Sequence, residues 1–173
     1  TAFQWAPPAG PNPVINKGFT LTFDSGGGNA MGYNVPISGT GKVQVVMGGA
    51  DGNFRNSPMI LGGKEPNTML GTWLVKSGRL TLAKDAGVDA AGGTVIVGGQ
   101  GDNDCLYWVN SDQLNDAAFV ELLDSPKGGA TLNLNGCNDK FASLKMAAHT
   151  KIATDDAKTG GILTVGALTL DGK

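Results

Sequence analysis

Two short stretches of the 173-residue chain concentrate oxygen-bearing side chains: Asp51-Gly52-Asn53 and Asp102-Asn103-Asp104. Such side chains accept and donate hydrogen bonds without needing a helix or a core around them, and loops on a rigid scaffold are where recognition concentrates. With an aromatic ring beside them they suit a sugar: carboxylates and amides hold the hydroxyls, and the ring covers the apolar face. Trp73, Trp108 and Tyr107 are the aromatic candidates. The expected ligand-binding set is therefore Asp51, Asn53, Asp102, Asn103, Asp104, Trp73 and Trp108, with core packing the competing reading for both tryptophans because they lie in strand-like runs. The same oxygens would suit calcium, but neither stretch continues to the glutamate that closes an EF-hand loop. Solvated turn residues are the simpler reading, and no metal or other cofactor is expected.

Catalytic chemistry finds little support. His149 is the only histidine, and no Gly-x-Ser-x-Gly elbow accompanies it, so a nucleophilic triad lacks its parts. One histidine and two cysteines cannot supply a zinc site. The only glutamates are Glu65, in a turn, and Glu121, which makes a glycosidase carboxylate pair unpromising. Gly26-Gly27-Gly28 precedes a strand-like run rather than a helix, so it is turn material and no phosphate cradle. Binding or assembly is expected, and no enzyme.

The elements that would position these residues are short. Apolar or alternating runs recur at Gly18–Phe23, Tyr33–Ile37, Lys42–Met47, Pro58–Leu61, Thr68–Val75, Arg79–Ala83, Thr94–Gly98, Cys105–Val109, Ala130–Leu134, Phe141–Ala147 and Ile162–Leu170, separated by Gly, Asn and Asp clusters. Ser77-Gly78 reads as a tight hairpin, and residues 84–93 as a loop. Leu114, Ala117, Ala118, Glu121 and Leu122 fall at helical spacing before Pro126, which predicts a short helix over about 112–123. The alanine-rich stretch 140–148 is compatible with strand or helix. Val45 to Asn53 echoes Val95 to Asn103, each an apolar strand running into Gly-Gly and an Asp/Asn tip; two hairpins with the same turn chemistry, or a duplicated binding loop, account for it. No period of 20–50 residues is sustained, so a solenoid is excluded. The expectation is a single mostly β domain over 1–173, an immunoglobulin-like or jelly-roll-like β-sandwich with one short helix. Prolines at 7, 8, 11 and 13 make the N-terminal stretch an extended strap.

Composition bounds the setting. Lys plus Arg is 13 against 15 Asp plus Glu, so there is no field to attract a polyanion, and nucleic acid is excluded as an expected partner. No apolar run is long enough for a membrane helix. Charged residues make up only 16%, well below the roughly 25% of ordinary domains, and Gly, Asn, Thr and Ser take their place, which points to an outer surface. Cys105 and Cys137 are then either a disulfide or two buried thiols, and the even count in an extracellular composition favours the disulfide.

A Gly/Thr/Asn-rich, short-stranded chain with one cysteine pair resembles subunits of bacterial chaperone–usher fimbriae. The resemblance implies an immunoglobulin-like fold, export through the periplasm to a surface fimbria, and, as partners, a periplasmic chaperone and other fimbrial subunits. Pro7 and Pro8 interrupt the N-terminal alternation, and Ile162–Leu170 lacks the ending of shaft pilins, so the likeness is closer to a tip adhesin's receptor-binding domain, the N-terminal domain of a longer adhesin. Its partner would be a host glycan or glycoprotein receptor. A virion or phage-tail structural protein is the alternative, and a secreted glycan-active enzyme the second.

Overall fold

A computed structural model describes residues 3–4, 11–26, 29–48, 57–100, 104–125, 128–154 and 160–172. Every strand pairing in it is parallel. The chain winds as a β-solenoid, and neither an immunoglobulin-like nor a jelly-roll sandwich forms. One seven-stranded sheet, sheet A, runs β1 (Phe3–Gln4), β4 (Met31–Tyr33), β7 (Met59–Gly63), β10 (Arg79–Lys84), β12 (Cys105–Trp108), β14 (Thr131–Asn133) and β16 (Lys151–Ala153). The facing sheet C runs β3 (Thr20–Asp24), β6 (Lys42–Val46), β9 (Thr72–Ser77), β11 (Thr94–Val97), β13 (Phe119–Leu122), β15 (Asp139–Ala147) and β17 (Leu163–Asp171). A short third side joins them in the first coils: β2 (Val14–Ile15), β5 (Ser38–Gly39) and β8 (Thr68–Met69). Higher up, the single bridge Ala91–Leu114 takes its place.

The core is a set of columns running along the solenoid axis. In sheet C, Val43, Trp73, Val95, Val120 and Leu144 stack in register, as do Val45, Val75, Val97 and Leu122, all buried. Sheet A answers with Met59, Leu80, Leu106 and Leu132, and with Leu61, Leu82 and Trp108. Within each strand, alternate residues point inward, so the period-two pattern of the sequence is real. It arises from stacked coils rather than from two sheets folded face to face.

Gly71 and Gly78 mark where coils must touch. A Cβ on Gly71 would lie 1.9 Å from the Gly41 carbonyl oxygen one coil below. Gly78 has φ 82°, and a Cβ there would meet the Met47 carbonyl at 2.4 Å. Gly78 therefore turns the chain from sheet C into sheet A in one step, and the expected Ser77-Gly78 hairpin is a solenoid corner joining β9 to β10 in different sheets.

The stretch 112–123 is a bend at Asp112, a bridge at Leu114, a turn at 116–117 and the strand β13, and no helix occurs among the described residues. The physical reason lies in its backbone donors. Gln113 and Leu114 donate to the Asp139 carboxylate, Asn115 donates to Ala91 O, and Phe119 to Gly93 O, so these N–H groups are bonded to neighbouring coils, and only a short turn at Asn115, which accepts from Ala117 and Ala118, is closed within the segment. Ala118, Val120 and Leu122 then face inward at strand spacing. The stretch 140–148 resolves as β15, and Ile162–Leu170 enters β17 along a sheet edge, with Leu163 and Val165 against the core.

Buried polar groups tie the coils together. Asn67 accepts from Ile37 N below at 2.9 Å and donates to Ala90 O above at 2.7 Å. Gln113 accepts from Lys84 N at 2.9 Å and donates to Asp85 O at 3.1 Å. Asn110 and Asn135 each cap a strand-end carbonyl one coil down, Lys84 O at 2.7 Å and Trp108 O at 3.0 Å. These bonds satisfy groups that the corners take out of the ladders.

Candidate functional site

At one edge of the solenoid, the corner where sheet C gives way to sheet A, connections of very different length join the two sheets. Two of them carry the oxygen-rich stretches: the chain between β6 and β7, and the chain between β11 and β12. β6 and β11 are separated in sheet C only by β9, since Val45, Val75 and Val97 are in register. Their ends are thus about 10 Å apart, two ladder spacings. The coil between them passes the corner in the single residue Gly78, so nothing longer intervenes. The echo of Val45–Asn53 in Val95–Asn103 reflects two strands running to this same corner, and neither is a hairpin. Asp51, Asn53, Asp102 and Asn103 themselves lie outside the described residues.

Asp104 is not a loop-tip ligand. It is 2% exposed, and its Oδ1 accepts the Gly78 amide at 2.9 Å while its carbonyl accepts from Thr131 N at 2.8 Å. It fastens the tight corner to the coil above. Trp73 and Trp108 are fully buried in the two core columns and cannot stack on a sugar. Trp108 Nε1 donates to Asp139 Oδ2, whereas Trp73 Nε1 has no hydrogen-bond partner among the described residues.

Tyr107 is the aromatic candidate that faces outward. It follows the second excursion on β12, on the outer face of sheet A, and the Arg79 guanidinium lies 4.9 Å from its ring centroid. Arg79 itself comes directly after the Gly78 corner. The buried Nε of Arg79 and Oγ1 of Thr81, its neighbour on that face, find no hydrogen-bond partner among the described residues. A cation against a ring is a surface on which an aromatic face and a positive donor act together. Arg79 carries no motif, and only the parallel register, which aligns Arg79 with Cys105 and Thr81 with Tyr107, places it beside the tyrosine.

Higher on the corner, His149 Nδ1 lies 3.1 Å from Asp124 Oδ2, an exposed pair that sits where the chain turns into β16. Among the described residues no group of three or more His, Cys, Asp or Glu side chains is arranged to hold a metal ion.

Two titratable groups are displaced inside the fold. Lys84 is buried with Nζ donating to Gly62 O at 3.0 Å and Glu65 O at 2.6 Å; burial pushes its ammonium below the usual lysine range, with the Glu65 charge opposing. Burial likewise raises the Asp139 carboxyl, against the N–H groups that favour its ionised form.

Cys105 and Cys137, the expected disulfide pair, are not bonded to each other in the structure. Cys105 opens β12, whereas the turn that carries Cys137 sits beyond the other end of that strand, where Asn135 caps Trp108 O. Four residues of strand set the two about 10 Å apart, outside the roughly 7 Å Cα separation a disulfide tolerates. Their sulfurs rest 3.5 Å from Leu106 O and 3.9 Å from Asn135 O instead.

No family model, curated protein or solved structure matches this chain.

Proposed function

We propose that the chain is a rigid binding module displayed on an outer surface, whose sheet C to sheet A corner recognises a glycan or glycoprotein. The observation that carries this reading is that the segments bearing Asp51, Asn53, Asp102 and Asn103 leave and rejoin the described strands at one corner, where the Arg79–Tyr107 pair also sits. A stacked-coil scaffold supports such a surface well, because its backbone is fixed by ladders on both sides and excursions at one corner cost the core nothing. The low charge and the Gly/Asn/Thr-rich composition fit an extracellular setting. The fimbrial part of the expectation drew on an immunoglobulin-like sandwich, so the proposal is held to a surface adhesin in the wider sense, with export and a host receptor as its setting.

A glycan array, followed by titration of the best hit, tests it. Tyr107→Ala and the pair Asp102→Ala with Asn103→Ala should each weaken binding about tenfold or more, a loss of about 1.4 kcal/mol, with melting temperature within a few degrees. Asp104→Ala should act differently, lowering stability by about 1–3 kcal/mol through the orphaned Gly78 amide. Unaltered binding in the loop and Tyr107 variants would remove the corner as the site.

A further inference from the structure

Two donors on the outer face of β10 are left unanswered by the fold. Arg79 and Thr81 alternate with the core residues Leu80 and Leu82, so both point out of sheet A on the same side. Arg79 Nε and Thr81 Oγ1 are buried, and neither has a hydrogen-bond partner among the described residues. Thr81 is 5% exposed and lies in register between Ile60 on β7 and Tyr107 on β12, which make it the floor between an apolar wall and an aromatic one. The buried Asn67, Lys84, Gln113 and Asp139, by contrast, are all bonded. A buried donor without an acceptor is costly, and a guanidinium without a counter-charge more so.

The charge is unanswered as well. Only two of the 13 cationic side chains are arginines, Arg55 and Arg79. Arg79 joins no ion pair among the described residues, and its guanidinium rests over the Tyr107 ring. Asp104, which precedes Cys105 opposite Arg79, gives its Oδ1 to the Gly78 amide. An N–H and a hydroxyl side by side are satisfied together by an acceptor, and a guanidinium is balanced by an acceptor that carries negative charge. A carboxylate meets both conditions, because the arginine fork takes one oxygen or both while a hydroxyl donates to the remaining lone pairs.

We propose that the ligand of this corner is an acidic sugar, whose carboxylate is bound by Arg79 and Thr81. The inference rests on the glycan reading above and adds the charge of the sugar to it. Both donor atoms are shut from solvent while the guanidinium lies on the ring, so the Arg79 side chain swings outward as the sugar enters. A single ring contact opposes that motion among the described residues, and such contacts are weak at a surface. The net charge of −2 provides no field for a polyanion, so one carboxylate read at one arginine fits better than a long sulfated chain.

The test screens the full chain on an array of neutral, sulfated, uronate-bearing and sialylated oligosaccharides, then titrates the best hit beside its carboxyl-reduced counterpart. Uronate-bearing or sialylated hits are expected, and reduction of the carboxylate should weaken binding about tenfold or more. Arg79→Gln should bind the two forms alike, and Arg79→Lys should recover part of the preference. Thr81→Val should weaken the acidic form about fivefold without lowering the melting temperature, since it removes a hydroxyl that the free fold leaves unbonded. With only two arginines in the chain, the Arg79 Nε–H signal is identified in nitrogen-15 spectra by its loss in Arg79→Lys, and it should shift with the acidic form and not with the reduced one. Neutral or sulfated hits that Tyr107→Ala abolishes and Arg79→Gln does not would overturn the acidic sugar and leave the glycan reading standing. An array with no hit would overturn both.

Discussion

Replacing Asp139 by alanine is expected to destabilise the fold by about 3–5 kcal/mol, more than any other polar substitution. The carboxylate accepts four N–H groups: Trp108 Nε1, Gln113 N at 3.0 Å and Leu114 N at 3.0 Å through Oδ2, and Lys140 N at 2.7 Å through Oδ1. Three of these donors are buried, and each left unsatisfied costs about 1–3 kcal/mol, partly offset because the desolvated charge is removed as well. Asp139→Asn should fall between the two, since its single carbonyl oxygen cannot serve both sets of donors. Chemical denaturation of the three proteins measures this. The pH dependence has a defined sign. Burial raises the Asp139 carboxyl above its unfolded value, so on acidification the folded chain takes up this proton before the unfolded chain does. The linked stabilisation is therefore complete below the ordinary carboxylate range and is lost as pH rises through the folded value. Asp139→Asn, which cannot titrate, should lack that part of the stability–pH profile.

The second large effect is expected at Trp73, where alanine should cost about 3–5 kcal/mol. The ring fills the lumen between Val43 below and Val95 above, so its loss leaves a cavity that two β-branched neighbours on fixed ladders cannot close. Phenylalanine distinguishes the two buried tryptophans. Trp73 Nε1 has no hydrogen-bond partner among the described residues, so Trp73→Phe removes packing and should cost about 1–2 kcal/mol. Trp108→Phe removes in addition a donor to Asp139, and should cost about 1–2 kcal/mol more than the Trp73 change. Equal costs at the two positions would mean that the Trp108–Asp139 bond contributes nothing to the fold.

These two residues also show how far the sequence could be read. The alternation that places Trp73, Val75, Val95 and Val97 on one face is plain in the chain, and so are most of the strands, though not β1, β2, β5, β13 or β16. What alternation does not encode is the direction of the neighbouring strand, because inward residues recur every second position in a parallel coil and in an antiparallel sandwich alike. A solenoid betrays itself by a repeat, and here the repeat exists only in space. From Phe3 through Met31, Met59, Leu80, Leu106 and Leu132 to Ile152, residues that stack directly, the advance is 28, 28, 21, 26, 26 and 20 residues. The differences are absorbed at the corners, chiefly by the long excursion between β6 and β7 and by Gly78 standing alone between β9 and β10. Residues 112–123 mislead for a related reason: Leu114, Ala118 and Leu122 are four apart, but Leu114 belongs to a bridge, Ala118 closes a turn and Leu122 lies in a strand, and Asp139, some 25 residues further on, fixes the change of direction.

Site reading met the same boundary. The oxygen-rich stretches are legible from composition, but that they leave one corner follows from β6 and β11 lying two ladder spacings apart. Asp104 looks like its neighbours Asp102 and Asn103 in the sequence, and only its bond to the Gly78 amide separates an anchoring carboxylate from candidate ligand groups.

The parallel stacking of coils is tested most directly by intramolecular spin-label distances along one outward column of sheet C, in protein diluted with unlabelled chain. Thr22, Gln44, Leu74, Ile96, Glu121, Lys145 and Thr169 follow one another in register. At about 4.8 Å per strand, backbone separations of about 19 Å for Thr22–Glu121, 24 Å for Gln44–Thr169 and 29 Å for Thr22–Thr169 are expected, growing linearly with the number of coils crossed. Distances that do not increase in that order, or a Thr22–Thr169 separation shorter than Thr22–Glu121, would contradict the solenoid.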